Sequence, residues 1–173
     1  MTSYELFAAM SPALAGEVLE FNHTQDKNIY RASLEAVAQS MKVRAVFLER
    51  QPRVERHRTM ASSLGRAGLS AAADTLLRNW LLKKQAKVLG DFLDALQIKH
   101  ENGVVEELPK AVEDAALQQA VSRLLESHPH EVVAVYLHAF NFMNAESWGN
   151  LDALLQSEPR LRLPGATATA PAG

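Results

Sequence analysis

The stretch "SAAADTLLRNWLLKKQAKVLGDFLDALQI", residues 70–98, sets the fold class of this chain. Its apolar side chains recur every three or four residues, which is the period of a helix with one buried face. They form two stripes, Leu76, Leu77, Trp80 and Leu81, then Val88, Leu89, Phe92, Leu93 and Leu96. "KKQ" at 83–85 interrupts the stripes without glycine or proline. The pattern therefore predicts either one bent helix or two joined helices.

Helical periodicity continues on both sides of this stretch. Ser11 followed by Pro12 is typical of a helix start, and a second start is expected near Asp26. "PRVERHRTMASSLG", residues 52–65, reads as another helix that would bury His57 on its apolar stripe. Asn102-Gly103 predicts a turn, after which helices are expected at about 110–126, 129–143 and 145–155, the last capped by Asn144.

Together these segments predict an all-α, compact, single-domain bundle of about six or seven helices with a short central turn. The domain would span residues 1–158, with 1–98 and 104–158 as its two halves, and 159–173 would be a flexible C-terminal tail. A chain of 173 residues is long enough to bury about two-thirds of its unfolded surface.

Composition narrows the class of function. The chain contains no cysteine, which excludes disulfides and thiolate chemistry. No apolar run approaches the roughly 20 residues that cross a bilayer, and the N-terminal stretch lacks the basic start of a signal peptide. We therefore expect a cytoplasmic protein without a membrane partner.

Charge is strongly segregated, although the net charge is only −2. Residues 42–87 hold eleven Lys/Arg against three Asp/Glu, which gives +8, and residues 88–158 hold three against twelve, which gives −9. Arg44, Arg50, Arg53 and Arg56 cluster around Pro52, and the guanidinium fork suits carboxylate or phosphate. These arginines are expected to meet the acidic half, either within the chain or across a homodimer, and otherwise to bind a partner.

Three histidines lie close together in sequence, in "SHPHEVVAVYLHAFNFMN", residues 127–144. On one helix His130 and His138 would stand about 12 Å apart along the axis and about 80° apart around it, which is too far for one metal ion. His128 would belong to the helix entrance. We expect structural roles for all three.

The other candidate sites are also better explained by structure. Glu20-x-x-His23 resembles half of a di-iron motif, but no second copy is visible. Asp91 and Asp94 share a helical face with Lys87, which predicts a solvated Lys87–Asp91 pair. No nucleophile elbow or phosphate loop occurs, so no catalytic residue, metal ligand or cofactor is assigned and the patterns disfavour an enzyme.

The sequence thus predicts a non-catalytic binding or protein-interaction domain that uses Arg44, Arg50, Arg53 and Arg56. Two alternatives remain open. One is a small helical enzyme or metal- or ligand-binding protein in which His57 converges with Glu20, His23 or His138. The other is nucleic-acid or phosphate-ligand binding through residues 42–87. A protein partner or a second copy is favoured over nucleic acid because the pI is near 6.3.

Overall fold

The computed structural model describes residues 1–144 and 147–166, and this part of the chain is helical without a β-strand. The predicted all-α class is therefore confirmed. Ten α-helices follow one another in these residues: α1 (Ser3–Ala9), α2 (Pro12–Gln25), α3 (Lys27–Ser40), α4 (Ala45–Glu49), α5 (Arg53–Leu64), α6 (Ser70–Lys83), α7 (Ala86–Ala95), α8 (Asp114–Ser127), α9 (His130–Met143) and α10 (Gly149–Ser157). Short 3-10 helices add Ala67–Leu69 and Pro159–Leu161.

Two of the predicted helix starts are fixed by side-chain caps. The Ser11 hydroxyl accepts a hydrogen bond from the Leu14 amide at 3.2 Å, at the start of α2. The Asp26 carboxylate accepts one from the Ile29 amide at 3.3 Å, at the start of α3. Each cap satisfies an amide that the first helical turn leaves without a partner.

The predicted count of six or seven helices is wrong, because ten are found in the part of the chain described. Helix α1 was missed although Thr2 and Glu5 form a capping box at its start. Helix α4 has only five residues, too few to show a period. Residues 70–98 form two helices, since the Lys84 and Gln85 amides both bond to the Trp80 carbonyl and turn the chain without glycine or proline.

The predicted central turn is present. Asn102 and Gly103 both have positive φ, 51° and 83°, the region that asparagine and glycine tolerate best. Glu101 and Val104 exchange two backbone hydrogen bonds of 2.9 Å across this turn. The pair closes the turn as a single isolated bridge.

Helices α1, α2, α3 and α5 pack on α6, and α4 packs on α3. The later helices α7, α8 and α10 pack on α9. Leu76, Leu77 and Trp80 of α6 are completely buried, which explains why residues 70–98 carry the strongest apolar pattern. The two groups touch through the Ser11 hydroxyl, which donates to the Glu131 carboxylate at 2.8 Å. No helix among residues 1–144 and 147–166 has the length and apolar character needed to span a membrane.

The C-terminal end differs from the prediction. Residues 159–166 were expected to be flexible, but Leu161 and Leu163 are buried. The Gly165 amide also donates a 2.7 Å hydrogen bond to the Ala9 carbonyl. Alternate leucines in an irregular segment show no helical period, so the sequence pattern missed their apolar role. Residues 167–173 of the predicted tail lie outside the described residues.

The last helix begins later than predicted. We expected a helix over 145–155 capped by Asn144, but α10 starts at Gly149 with Trp148 at its N-cap. Buried Asn141 explains this start, because its amide oxygen accepts from the Trp148 amide at 2.7 Å and its amide nitrogen donates to Asp152 at 2.8 Å. Residues 145 and 146, also part of the predicted helix, lie outside the described residues.

Candidate functional site

The four predicted binding arginines separate into two environments. Arg44 and Arg50 flank α4 and are exposed. Arg53 begins α5, and its guanidinium lies 3.1 Å from a carboxylate oxygen of Glu20. Arg56, one turn further along α5, donates to the Glu49 carbonyl at 3.1 Å. The last two therefore point toward α2 and the end of α4.

The expected pairing of the arginines with the acidic half inside one chain is wrong for the residues that the structure describes. The ion pairs of these and the neighbouring arginines stay outside the acidic half, since Arg53 pairs with Glu20 and Arg58 pairs with Glu55. Between residues 42–87 and 88–158 the described chain has one ion pair, Lys87–Asp91, within a helical turn. The reason is position: α5 packs on α1, α2 and α3, away from the helices grouped around α9.

Exposed apolar side chains lie near Arg44 and Arg50 in the sequence. Phe47 is 57% exposed and Val54 is 70% exposed, and Val46 is exposed too. Helix α4 buries Leu48 and leaves its other apolar face open. Arg44, Val46, Phe47, Arg50 and Gln51 line a shallow depression of about 580 Å³. We call Arg44, Val46, Phe47 and Arg50 the basic face.

An apolar groove of about 260 Å³ lies where α6, α7 and α9 meet the segment 103–108, and its one charged lining residue is Arg78, which pairs with Asp74 at 3.4 Å. Leu82 on its edge is 58% exposed. Glu106 and Glu107, both exposed, lie between the lining residues Val105 and Leu108. We call this set the acidic groove, and its apolar lining includes Leu82, Leu89, Val105, Leu108, Phe140 and Met143.

A third feature lies behind the basic face, where α2, α3 and α5 meet. The rings of His23, Tyr30 and His57 stand edge to face, with centroids 4.8 Å apart for His23–Tyr30, 5.6 Å for Tyr30–His57 and 6.1 Å for His23–His57. Glu20 lies beside them, with a carboxylate oxygen 3.9 Å from Nδ1 of His57. Arg56 covers them, its guanidinium carbon 5.8 Å from the centre of the Tyr30 ring. We call His23, Tyr30, Arg56 and His57 the ring cluster.

Four polar atoms of the ring cluster are buried without a hydrogen-bond partner, namely Nδ1 of His23, the Tyr30 hydroxyl, Nε of Arg56 and Nε2 of His57. Two of the four side chains are deeply buried, since Tyr30 is 6% and His57 is 7% exposed, whereas His23 and Arg56 are partly exposed. Burial lowers the pKa of His57 to about 4, against the opposing effect of Glu20, so the ring is neutral at pH 7. Burial also lowers the pKa of His23 and raises that of Tyr30.

The ring cluster partly matches the convergence that the sequence allowed. Glu20, His23 and His57 meet, but His138 does not join them. His138 lies on α9, where burial lowers its pKa to about 4 and the nearby charges are the N-terminal amine and Asp152.

The remaining candidate residues go to separate partners. Nε2 of His128, which follows α8, lies 2.7 Å from Asp91, and Nε2 of His130 lies 3.1 Å from the Leu125 carbonyl. The predicted Lys87–Asp91 pair is present at 2.6 Å, whereas Asp94 contacts His100. Within residues 1–144 and 147–166, no three histidine or carboxylate side chains are placed to hold a metal ion.

Neither protein-family models, nor curated proteins, nor solved structures give a match to this chain. Function is therefore inferred from the residues themselves. Sequence reasoning missed Tyr30 and Phe47, which complete the ring cluster and the basic face. Tyr30 gave no signal because an aromatic residue at helical spacing reads as core, and Phe47 belongs to a helix too short to show a period.

Proposed function

We propose that this protein is a non-catalytic protein-interaction domain whose basic face binds the acidic groove of a second copy. The observation that carries the proposal is that Arg44 and Arg50 stand beside exposed Phe47 with no carboxylate partner in the part of the chain described. An apolar side chain rimmed by arginine is the composition found at the centre of protein interfaces.

Charge complementarity favours a second copy as the occupant. Residues 42–87 carry +8 and residues 88–158 carry −9, so each copy offers both members of a complementary pair. The acidic groove has a volume of about 260 Å³, slightly below that of a site for a drug-sized ligand, which suits one large side chain such as Phe47. In a two-fold dimer each contact would be made twice.

The apolar anchor would supply most of the affinity. Fully burying a phenylalanine contributes about 1.5–3 kcal/mol, and Phe47 still has more than half of its surface to bury. Each exposed arginine–carboxylate pair adds less than about 1 kcal/mol, but such pairs orient the partners and speed their encounter. Association should therefore weaken modestly as salt is added.

Nucleic acid fits these surfaces less well. The chain has net charge −2 and a pI near 6.3, so a polyanion would be repelled by the acidic half. Exposed Val46 beside the arginines offers no hydrogen bond or charge to a phosphate backbone.

Sedimentation equilibrium over about 1 µM to 1 mM protein tests the proposal. We expect the mass to rise above 19.0 kDa with concentration. The double change Arg44→Glu with Arg50→Glu should weaken association at least about tenfold, because like charges would face each other across the interface. Lys99→Glu with Lys110→Glu is the matched control, since it alters net charge equally but on the acidic half, and it should not weaken association.

A charge exchange sharpens the assignment. Mixing the Arg44→Glu, Arg50→Glu protein with a Glu106→Lys, Glu107→Lys protein should restore a mixed dimer. A wild-type mass that stays at one copy up to about 1 mM would overturn self-association. Unchanged association of the Arg44→Glu, Arg50→Glu protein would show that the basic face is not the binding surface. Retention of duplex DNA at low salt, lost steeply as salt rises, would favour nucleic-acid binding instead.

A further inference from the structure

We infer that the ring cluster is a binding site for a compact oxyanion, the phosphate or carboxylate group of a small molecule. Its residues come from α2, α3 and α5, and the inference is independent of self-association through the basic face. It rests on three features of the cluster: its unpartnered polar atoms, the sign of the surrounding charge, and the cleft that leads to it.

The unpartnered atoms are the first feature. More than about nine in ten buried polar groups in folded proteins have a hydrogen-bond partner, because leaving one without a partner costs free energy. Here four such atoms lie in one cluster of side chains. The Tyr30 hydroxyl and Nε of Arg56 are donors, and each imidazole can donate from the ring nitrogen concerned. Converging donors are what the lone pairs of an oxyanion require.

The surrounding charge is the second feature. Lys27, Arg31, Arg53 and Arg56 supply four positive charges around the cluster and its cleft. Three negative charges oppose them, from Glu20, Glu49 and Glu35, the last paired with Arg31 at 3.3 Å, which leaves +1 with both histidines neutral. This balance attracts an anion and opposes a divalent cation. Glu20, the natural carboxylate ligand for a metal here, is already engaged by Arg53 at 3.1 Å.

The route of entry is the third feature. A cleft of about 370 Å³ is lined by three members of the cluster, His23, Tyr30 and Arg56, and by Lys27, Arg31 and Glu49 among others. The fourth member, His57, does not line this cleft and lies behind Tyr30, with the two ring centroids 5.6 Å apart. Arg56 covers the inner end of the cleft and is held by one hydrogen bond to the Glu49 carbonyl. Tyr30 and Arg56 both line the cleft, so a ligand that enters it would meet both side chains, and rotation of Arg56 away from the Glu49 carbonyl would turn the guanidinium fork toward the ligand. The fork then binds two oxygens of the ligand together.

Binding should take up protons. A bound oxyanion favours the protonated form of His57, whose pKa is about 4 without ligand because of burial. The charged groups that face the two histidines are Glu20 on α2, Lys27 and Arg31 on α3, Glu49 on α4, and Arg53 and Arg56 on α5. None of the lysines or arginines changes charge between pH 5 and 7. Affinity for acetate, which stays ionised in this range, should therefore increase as pH is lowered from 7 toward 6.

Nuclear magnetic resonance of the histidine rings tests the inference directly. Inorganic phosphate and sodium acetate are titrated separately, with sodium chloride at equal ionic strength as the control. We expect one oxyanion to shift the His23 and His57 signals saturably while His100, on the other side of the chain, stays unchanged. Saturation by phosphate alone would assign a phosphate group, and saturation by acetate alone would assign a carboxylate.

Matched lysine variants separate a built site from general attraction. Arg56→Lys keeps the charge but loses the fork, so it should weaken binding at least about tenfold. Arg58→Lys is the control, because Arg58 lies on the same helix but pairs outward with Glu55. Tyr30→Phe should also weaken binding, and circular dichroism would verify that each variant is folded.

Several results would overturn the inference. If neither phosphate nor acetate at about 100 mM shifts the His23 and His57 signals, water alone occupies the cluster. Equal shifts with sodium chloride would mean that ionic strength, and not a bound oxyanion, moves the histidine signals. Equal affinity of the Arg56→Lys protein would exclude binding through the guanidinium fork. The Arg44→Glu, Arg50→Glu protein should still bind the oxyanion, so loss of self-association and loss of this site are distinguishable.

Discussion

Leu161→Ala should strongly destabilise the protein, although the sequence places Leu161 in a flexible tail. Its side chain is 0% exposed and packs where the short helix Pro159–Leu161 meets α9. Truncating a fully buried leucine removes its transfer free energy and leaves a cavity, which together cost about 2–5 kcal/mol. For a chain of this size about 1 kcal/mol shifts Tm by roughly 2–4 °C, so we expect a fall of about 4–20 °C.

Urea unfolding followed by circular dichroism measures this change. The midpoint should fall while the m-value is unchanged, since the native surface is otherwise conserved. Leu82→Ala is the matched control, because Leu82 is 58% exposed and its truncation should cost less than about 1 kcal/mol. A loss of less than about 0.5 kcal/mol for Leu161→Ala would refute the docking of this segment.

Three further changes probe other contacts. Gly165→Ala should cost about 1–3 kcal/mol, because a Cβ there would lie 2.6 Å from the Ala8 carbonyl oxygen, whereas Gly16→Ala, in an open helical position, should stabilise by about 0.5–1 kcal/mol in the same urea assay. Asn22→Ala should cost about 2–4 kcal/mol, because its amide makes three buried hydrogen bonds of 2.8, 3.1 and 2.8 Å, and a cost below about 1 kcal/mol would contradict that network. The free energy of unfolding should fall as pH is lowered from about 6.5 to 4, by up to about 3 kcal/mol from His57, since unfolded His57 takes up a proton that the folded ring, with a pKa of about 4, does not. His57→Gln should reduce that slope and leave the part that comes from His138, whose pKa is also lowered to about 4, and an unchanged slope would count against burial of the neutral His57 ring.

Periodicity predicted the long helices well because each buries one face. Helices α2, α3, α5, α8 and α9 were anticipated in order, and most of their apolar side chains are buried. Val54 of α5 was expected to face inward, but it is 70% exposed. The departures occur where tertiary contacts replace local signals. Leu161 and Leu163 are held by helices distant in sequence, and the start of α10 depends on Asn141, seven residues before Trp148. Neither the burial of these leucines nor the start of α10 produces a helical period in the sequence.

The ring cluster was only partly predictable for a related reason. Glu20 and His23 share a helical face at i and i+3, so their convergence follows from sequence. Tyr30 and His57 join them only because α3 and α5 pack on α2. The orphaned polar atoms become visible when burial and hydrogen bonds are both known, because a half-satisfied polar cluster has the same composition as a satisfied one.

The four arginines illustrate how sequence proximity joins residues with different roles. Arg44 and Arg50 project beside Phe47, whereas Arg53 is tied to Glu20 and Arg56 to the Glu49 carbonyl. The other carboxylate oxygen of Glu20 lies 3.9 Å from Nδ1 of His57. A reversal of the charge at Arg53 would therefore disturb the ring cluster as well. A charge reversal at Arg53 and Arg56 would therefore change two surfaces at once. Arg44 and Arg50 report on the basic face alone, since neither has an ion pair among the residues described.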